Sequence, residues 1–174
     1  MPHRQVIRDI QAGSLKPVYL LHGEEPYFID EIAKALENNV VEESMRDFNQ
    51  TVVYGRDTNV DQVLEAARRF PMMAERQLVL MREAQDWPAW RRKDDMAKLE
   101  TYAEAPAAST VLVFCFKNKK ADGRLKAVKA ISKAGVLFLS EKVRDYKLPE
   151  WISNYVRDTG LSISPQAAQI PVSY

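Results

Sequence analysis

Phe70-Pro71-Met72-Met73-Ala74-Glu75-Arg76-Gln77-Leu78-Val79-Leu80-Met81 joins a helical pattern to a strand pattern. Upstream, Asp57-Thr58-Asn59 offers caps, and Val60, Val63, Leu64 and Ala67 recur at helical spacing. Arg68 and Arg69 place cations at that helix's negative end, and Pro71 bars its continuation. Downstream, Leu78 to Met81 is a continuous apolar run, the pattern of a strand covered on both faces. Phe70, Met72 and Met73 therefore fall on the connection, with no period of their own. Two readings stand at this point: a loop tucked onto the sheet, or apolar side chains offered to another protein. Thioethers are flexible and polarizable and recur on surfaces that fill a partner's apolar groove.

Helix and strand patterns alternate outward from this unit. Residues 4–12 read as a short helix with Val6, Ile7 and Ile10 on one face, closed by Gly13. Val18 to Leu21 reads as a buried strand ending at His22-Gly23. The next helix covers about Tyr27 to Val40, with Phe28, Ile32, Leu36 and Val40 at i+4 steps. Thr51 to Tyr54 is the second strand, residues 59–69 a helix and Gln77 to Met81 the third strand. A loop through Trp87 and Trp90 leads to a helix near 92–104. Val111 to Phe116, a helix over 123–133 and Val136 to Leu139 complete the series. Alternation of this kind predicts an α/β fold: a five-stranded parallel sheet with helices on both faces and right-handed crossovers. Beyond Ser140 the apolar period is lost. A boundary is expected there, between a first domain at 1–141 and a helical segment at 142–174. In that segment Pro149 opens a helix carrying Trp151, Ile152, Tyr155 and Val156 that stops at Gly160. A second helix begins at Ser164-Pro165 and breaks at Pro171. Such a segment buries its own face poorly and reads as the truncated opening of a further domain.

The 174 residues are 46% apolar and 28% charged, enough for one good core, and the net charge of +1 supplies no bulk attraction for nucleic acid or acidic membrane. Lone Cys115 sits inside an apolar run, and one cysteine excludes an internal disulfide framework. The N-terminus lacks an apolar signal core and no run approaches membrane-spanning length. The expectation is a soluble cytoplasmic protein without a membrane partner.

A strand, a glycine and a helix start in that order invite a phosphate-loop test. Counting from Gly23, the second glycine position holds Phe28, the lysine position Ile29 and the hydroxyl position Asp30. Glu24, Glu25 and Asp30 would repel a triphosphate. After the third strand, where a hydrolytic site carries an acidic pair for magnesium, the chain reads Arg82-Glu83. The frame suits an ATPase and the reacting groups are missing, so no catalytic residue, cofactor or metal is expected. His3 and His22 are too few for a metal site.

Pro17-Val18-Tyr19-Leu20-Leu21-His22-Gly23-Glu24-Glu25-Pro26-Tyr27-Phe28-Ile29-Asp30-Glu31 resembles the opening of the delta subunit family of the bacterial DNA polymerase III clamp loader. Three further segments are similar to that family, in the same order. They are Phe70 to Val79, Leu99-Glu100-Thr101-Tyr102 through Pro106 to Thr110-Val111-Leu112-Val113-Phe114, and Leu148-Pro149-Glu150-Trp151-Ile152. The resemblance covers residues 4–169; Ile170-Pro171-Val172-Ser173-Tyr174 departs from it. It implies an AAA+-like first domain without a working ATP site, then the start of a small helical lid, with the collar that joins the other loader subunits absent. It further implies a chain without catalysis of its own, in a complex that carries DNA polymerase activity and contacts DNA. The implied partner is the ring-shaped sliding clamp, met by apolar side chains that match Phe70, Met72 and Met73. Leucine and phenylalanine are common in the family where this chain has the two methionines.

Two rival classes stand beside this reading. One is a divergent P-loop ATPase. The other is a DNA-binding module using Lys117, Lys119, Lys120, Arg124, Lys126, Lys129 and Lys133, a run that a solvated helix face explains as well. Trp87 and Trp90 read as local packing rather than base-stacking groups.

Overall fold

The computed structural model describes residues 2–142 and 148–158. The Gly160 stop, the helix expected at Ser164-Pro165 and the divergent end at 170–174 lie outside them. The chain divides into two compact units, Met1–Ser140 and Glu141–Tyr174.

In the first unit the elements run α1 (His3–Gln11), β1 (Val18–Gly23), α2 (Pro26–Asn39), α3 (Arg46–Asn49), β2 (Gln50–Tyr54), α4 (Val60–Arg68), β3 (Gln77–Arg82), α5 (Lys93–Glu104), β4 (Thr110–Lys117), α6 (Lys126–Ala134) and β5 (Val136–Ser140). Local chemistry sets several ends. Asn59 accepts from the Gln62 amide at 2.9 Å to start α4. Glu25 accepts from the Tyr27 amide at 3.1 Å, with Pro26 in the first turn of α2. Gly13 adopts φ +81° just past α1.

All strands are parallel, in the order β2-β3-β4-β1-β5. From β1 the chain crosses two strands to reach the β2 edge, then steps back through β3 and β4 and over β1 to β5. Right-handed crossovers in opposite directions put their helices on opposite faces. Accordingly α2 covers one face with Phe28, Ile29, Ile32 and Leu36, and α1 packs on α2. On the other face Val60, Leu64, Leu99, Tyr102, Val128 and Ile131 of α4, α5 and α6 pack against Val18, Leu20, Val79, Met81, Leu112 and Phe114. Strands β1, β3 and β4 are buried nearly throughout, as their unbroken apolar runs require. Strand β2 is one of the two edges, and Val52 and Tyr54 are exposed on it.

The five expected strands and the helices between them are present, with ends shifted by a few residues. The turn-rich segments depart most from expectation. A 3-10 turn at Glu43–Met45 precedes α3, and two more, Ala84–Asp86 and Pro88–Arg91, carry the Trp loop. There Trp87 is buried, and its ring lies 5.4 Å from that of Trp90 and 5.7 Å from that of Phe114. Trp90 donates its indole N–H to the Ala84 carbonyl at 2.6 Å. Both tryptophans are thus committed to packing within the unit. In the second unit, helix α7 (Leu148–Asp158) carries Trp151 and Tyr155 with stacked rings 5.6 Å apart.

Candidate partner-binding turn and a closed nucleotide crevice

In an open parallel sheet, ligands bind at the carboxyl ends of adjacent strands whose following helices lie on opposite faces. Here those strands are β1 and β4, whose ends, Gly23 and Lys117, are register partners. The protein's own groups fill this crevice. After β4 the chain turns at Asn118 (φ +67°) and folds back across the end of β1. Gly23 N–H donates to the Lys119 carbonyl at 2.8 Å, and Ala121 N–H donates to Nδ1 of His22 at 2.9 Å. Burial, reinforced by the Lys120 charge, pushes the His22 pKa down from 6.5. The neutral ring is the form that can accept this bond.

The β1–α2 loop is closed from its other side as well. A Cβ on Gly23 would stand 2.0 Å from the Ser140 carbonyl oxygen, and Gly23 itself has φ +130°. The close approach of β5 is therefore sufficient to require glycine here. Ser140 Oγ donates to the Glu25 carbonyl at 2.6 Å, tying the start of α2 to β5. Phe28 and Ile29 point into the core. Asp30 forms an ion pair with Lys117, and Arg82 pairs with Glu37 of α2 at 2.7 Å. The cation that replaces the expected metal ligand thus has an internal partner. Cys115 lies deep in β4, and burial pushes its thiol up to about 12. Among the described residues, no group of three or more His, Cys, Asp or Glu could hold a metal ion. No helix among them is long and apolar enough to cross a membrane.

The connection between α4 and β3 is arranged in the opposite way. Phe70 is 88% exposed, Met72 61% and Met73 90%. Phe48 on α3, which the sequence reading passed over, is also exposed, and Val52 and Tyr54 follow it on the edge strand. The turn is nevertheless fixed through its main chain. The side chain of Asn49, itself buried, accepts from the Met72 amide at 2.6 Å and donates to the Met72 carbonyl at 2.8 Å. It also reaches the Met45 carbonyl at 2.9 Å. Met73 sits in the left-handed region at φ +59°, a costly place for a side chain with a Cβ. Where the turn rejoins the sheet, the buried Gln77 amide nitrogen lies 2.6 Å from the Arg69 carbonyl and 3.1 Å from that of Ala66. It supplies partners to the end of α4 that no further turn of helix supplies.

The family described as DNA polymerase III, delta subunit matches residues 19–140. The DNA polymerase III subunit delta of Bacillus subtilis is 27% identical over 168 residues, covering 94% of this chain and 48% of that protein. The solved Bacillus subtilis DNA clamp loader delta protein superposes with a TM-score of 0.82 at 25% identity, over 97% of this chain and 51% of that one. A DNA polymerase III gamma subunit-related protein from Thermotoga maritima shares the fold, with a TM-score of 0.55 at 11% identity over 96% of this chain and 57% of that one. The chain spans about half the length of the relatives it matches. The α/β architecture, a five-stranded parallel sheet with helices on both faces, is the one expected from the sequence.

Proposed function

This chain belongs to the DNA polymerase III delta subunit family, and from that premise we propose that it is the part of a clamp-loader subunit that binds and opens the sliding clamp without hydrolysing ATP itself. The observation that carries the proposal is a fixed turn presenting Phe70, Met72 and Met73 to solvent on a sheet whose nucleotide crevice is filled. Leaving such side chains in water has no folding benefit. Burying each of them in a partner's groove contributes roughly 1.5–3 kcal/mol, which makes them candidate hot spots.

Opening follows from differential affinity. A ligand shifts a two-state equilibrium only by what it prefers between the states. A turn that fits the clamp better when the ring interface has parted drives opening by binding alone. Residues 1–141 would be the AAA+-like domain without a working ATP site, and 142–174 the beginning of the lid. ATP would act in other loader subunits, and this chain's contacts with them, with DNA in the full complex and in the cytoplasm belong to the same proposal.

The DNA-binding reading fares less well on this chain's own surface. Lys126, Lys129 and Lys133 line one groove with Glu100 and Glu104 of α5, which offset their charge. Titrating the chain against the purified sliding clamp of the same organism tests the proposal. Saturable binding is expected, and its absence would refute it. Tight magnesium-dependent ATP binding would instead favour the ATPase reading.

A further inference from the structure

We infer that Asn49 is a positioning residue that latches the clamp-binding turn in its working shape before the partner arrives. This rests on the clamp-binding reading of Phe70, Met72 and Met73. Asn49 is 2% exposed, and its amide bonds both polar atoms of the Met72 main chain while holding the Met45 carbonyl. A side-chain amide used this way imitates a strand neighbour, accepting and donating across one residue. It joins segments 23 residues apart. It is well placed to support the left-handed Met73, since a non-glycine residue keeps such a conformation only where its surroundings over-determine it. Because α3 carries Phe48 next to Asn49, the same latch fixes that exposed ring relative to the turn.

Asn49 touches the turn through backbone atoms alone, so its contribution is pre-organisation. A turn populated in its binding shape only part of the time binds with affinity reduced by that fraction. Removing two ordinary hydrogen bonds lowers the fraction by about tenfold or somewhat more. A charged aspartate at this position keeps the acceptor for the Met72 amide and sets a second oxygen against the Met72 and Met45 carbonyls. The neutral acid has the shape of the native amide, keeps the acceptor and regains one of its two donated bonds, so it can again hold both polar atoms of Met72 while giving up the Met45 carbonyl.

The experiment measures affinity for the purified sliding clamp by titration calorimetry, with amide hydrogen exchange on the same samples. Asn49→Ala is expected to bind about tenfold more weakly. The Met72 amide should lose protection while Leu80 in the central sheet keeps its own. Asn49→Asp should bind weakly at neutral pH and recover a large part of the lost affinity as pH falls and the carboxyl takes up its proton, each value taken as a ratio to wild type at that pH. A purely structural role would lower protection throughout the sheet as well. If Asn49→Ala fails to fold, the Asn49→Asp series decides, and a ratio flat with pH overturns the latch. Wild-type affinity in a folded Asn49→Ala overturns the latch alone. A wild-type chain that does not bind the clamp overturns the latch and the reading beneath it.

Discussion

Replacing Met72 and Met73 together by alanine separates a side chain needed by the fold from one needed by a partner. In the free chain the two are 61% and 90% exposed, so truncation removes little packing. Surface changes of this kind usually fall within about 0.5 kcal/mol of wild type. The latch to Met72 uses main-chain atoms and survives the change. Against the clamp the arithmetic differs. Burying a whole methionine side chain contributes about 1.5–3 kcal/mol, of which only the portion still in water remains to be gained. Scaling by the two exposures gives about 2.3–4.5 kcal/mol for the pair. That corresponds to clamp affinity weaker by between about fortyfold and fifteen hundredfold. Titration calorimetry against the clamp, paired with thermal denaturation, reads both quantities. A double variant that melts like wild type and binds within twofold of it would refute the assignment. One that unfolds would show the methionines to be part of the core.

Other outcomes follow from three residues of the crevice and the core. Gly23→Ala forces a Cβ to 2.0 Å from the Ser140 carbonyl at φ +130°; the expected loss is more than about 3 kcal/mol, seen as a fall in Tm of roughly 10 °C. Cys115, with its thiol pushed up to about 12 by burial, should resist disulfide reagents at pH 8 until the chain unfolds. Its folded pKa lies above the ordinary 9.0, so the native state holds that proton more tightly, and stability should decline as pH climbs from about 9 towards 12. His22 has the opposite sign. Its pKa is lowered below 6.5, the unfolded chain takes up the proton first, and stability should fall as pH drops through 6.5 and below. A His22→Gln variant melted at pH 7.5 and 5.5 should lose most of that dependence.

Much of the fold was legible because its signals are local. Unbroken apolar runs at 18–21, 78–81 and 111–116 marked central strands, and Asn59 and Gly13 marked ends. The missing phosphate-loop groups could be counted by position. What fills the crevice could not, since Asp30 meets Lys117 and Glu37 meets Arg82 across long stretches of sequence. The exposed turn was visible as apolar residues without a period, though a tucked loop would read the same. Asn49 was missed entirely. It lies in a short polar segment, and its partner sits on a connection that folds back from beyond α4. Only the acceptor-and-donor pair on Met72 reveals it.

That pair also bears on how the surface can change. The latch grips the peptide unit and ignores what hangs from it, so the exposed side chains behave like interchangeable bits in a fixed chuck. Leucine or phenylalanine at positions 72 and 73 would meet the same holder and the same sheet. Two methionines in this chain therefore need no compensating change elsewhere in the domain. If the proposed contact with the clamp holds, groove and key can drift together while the body carrying the key stays as it is.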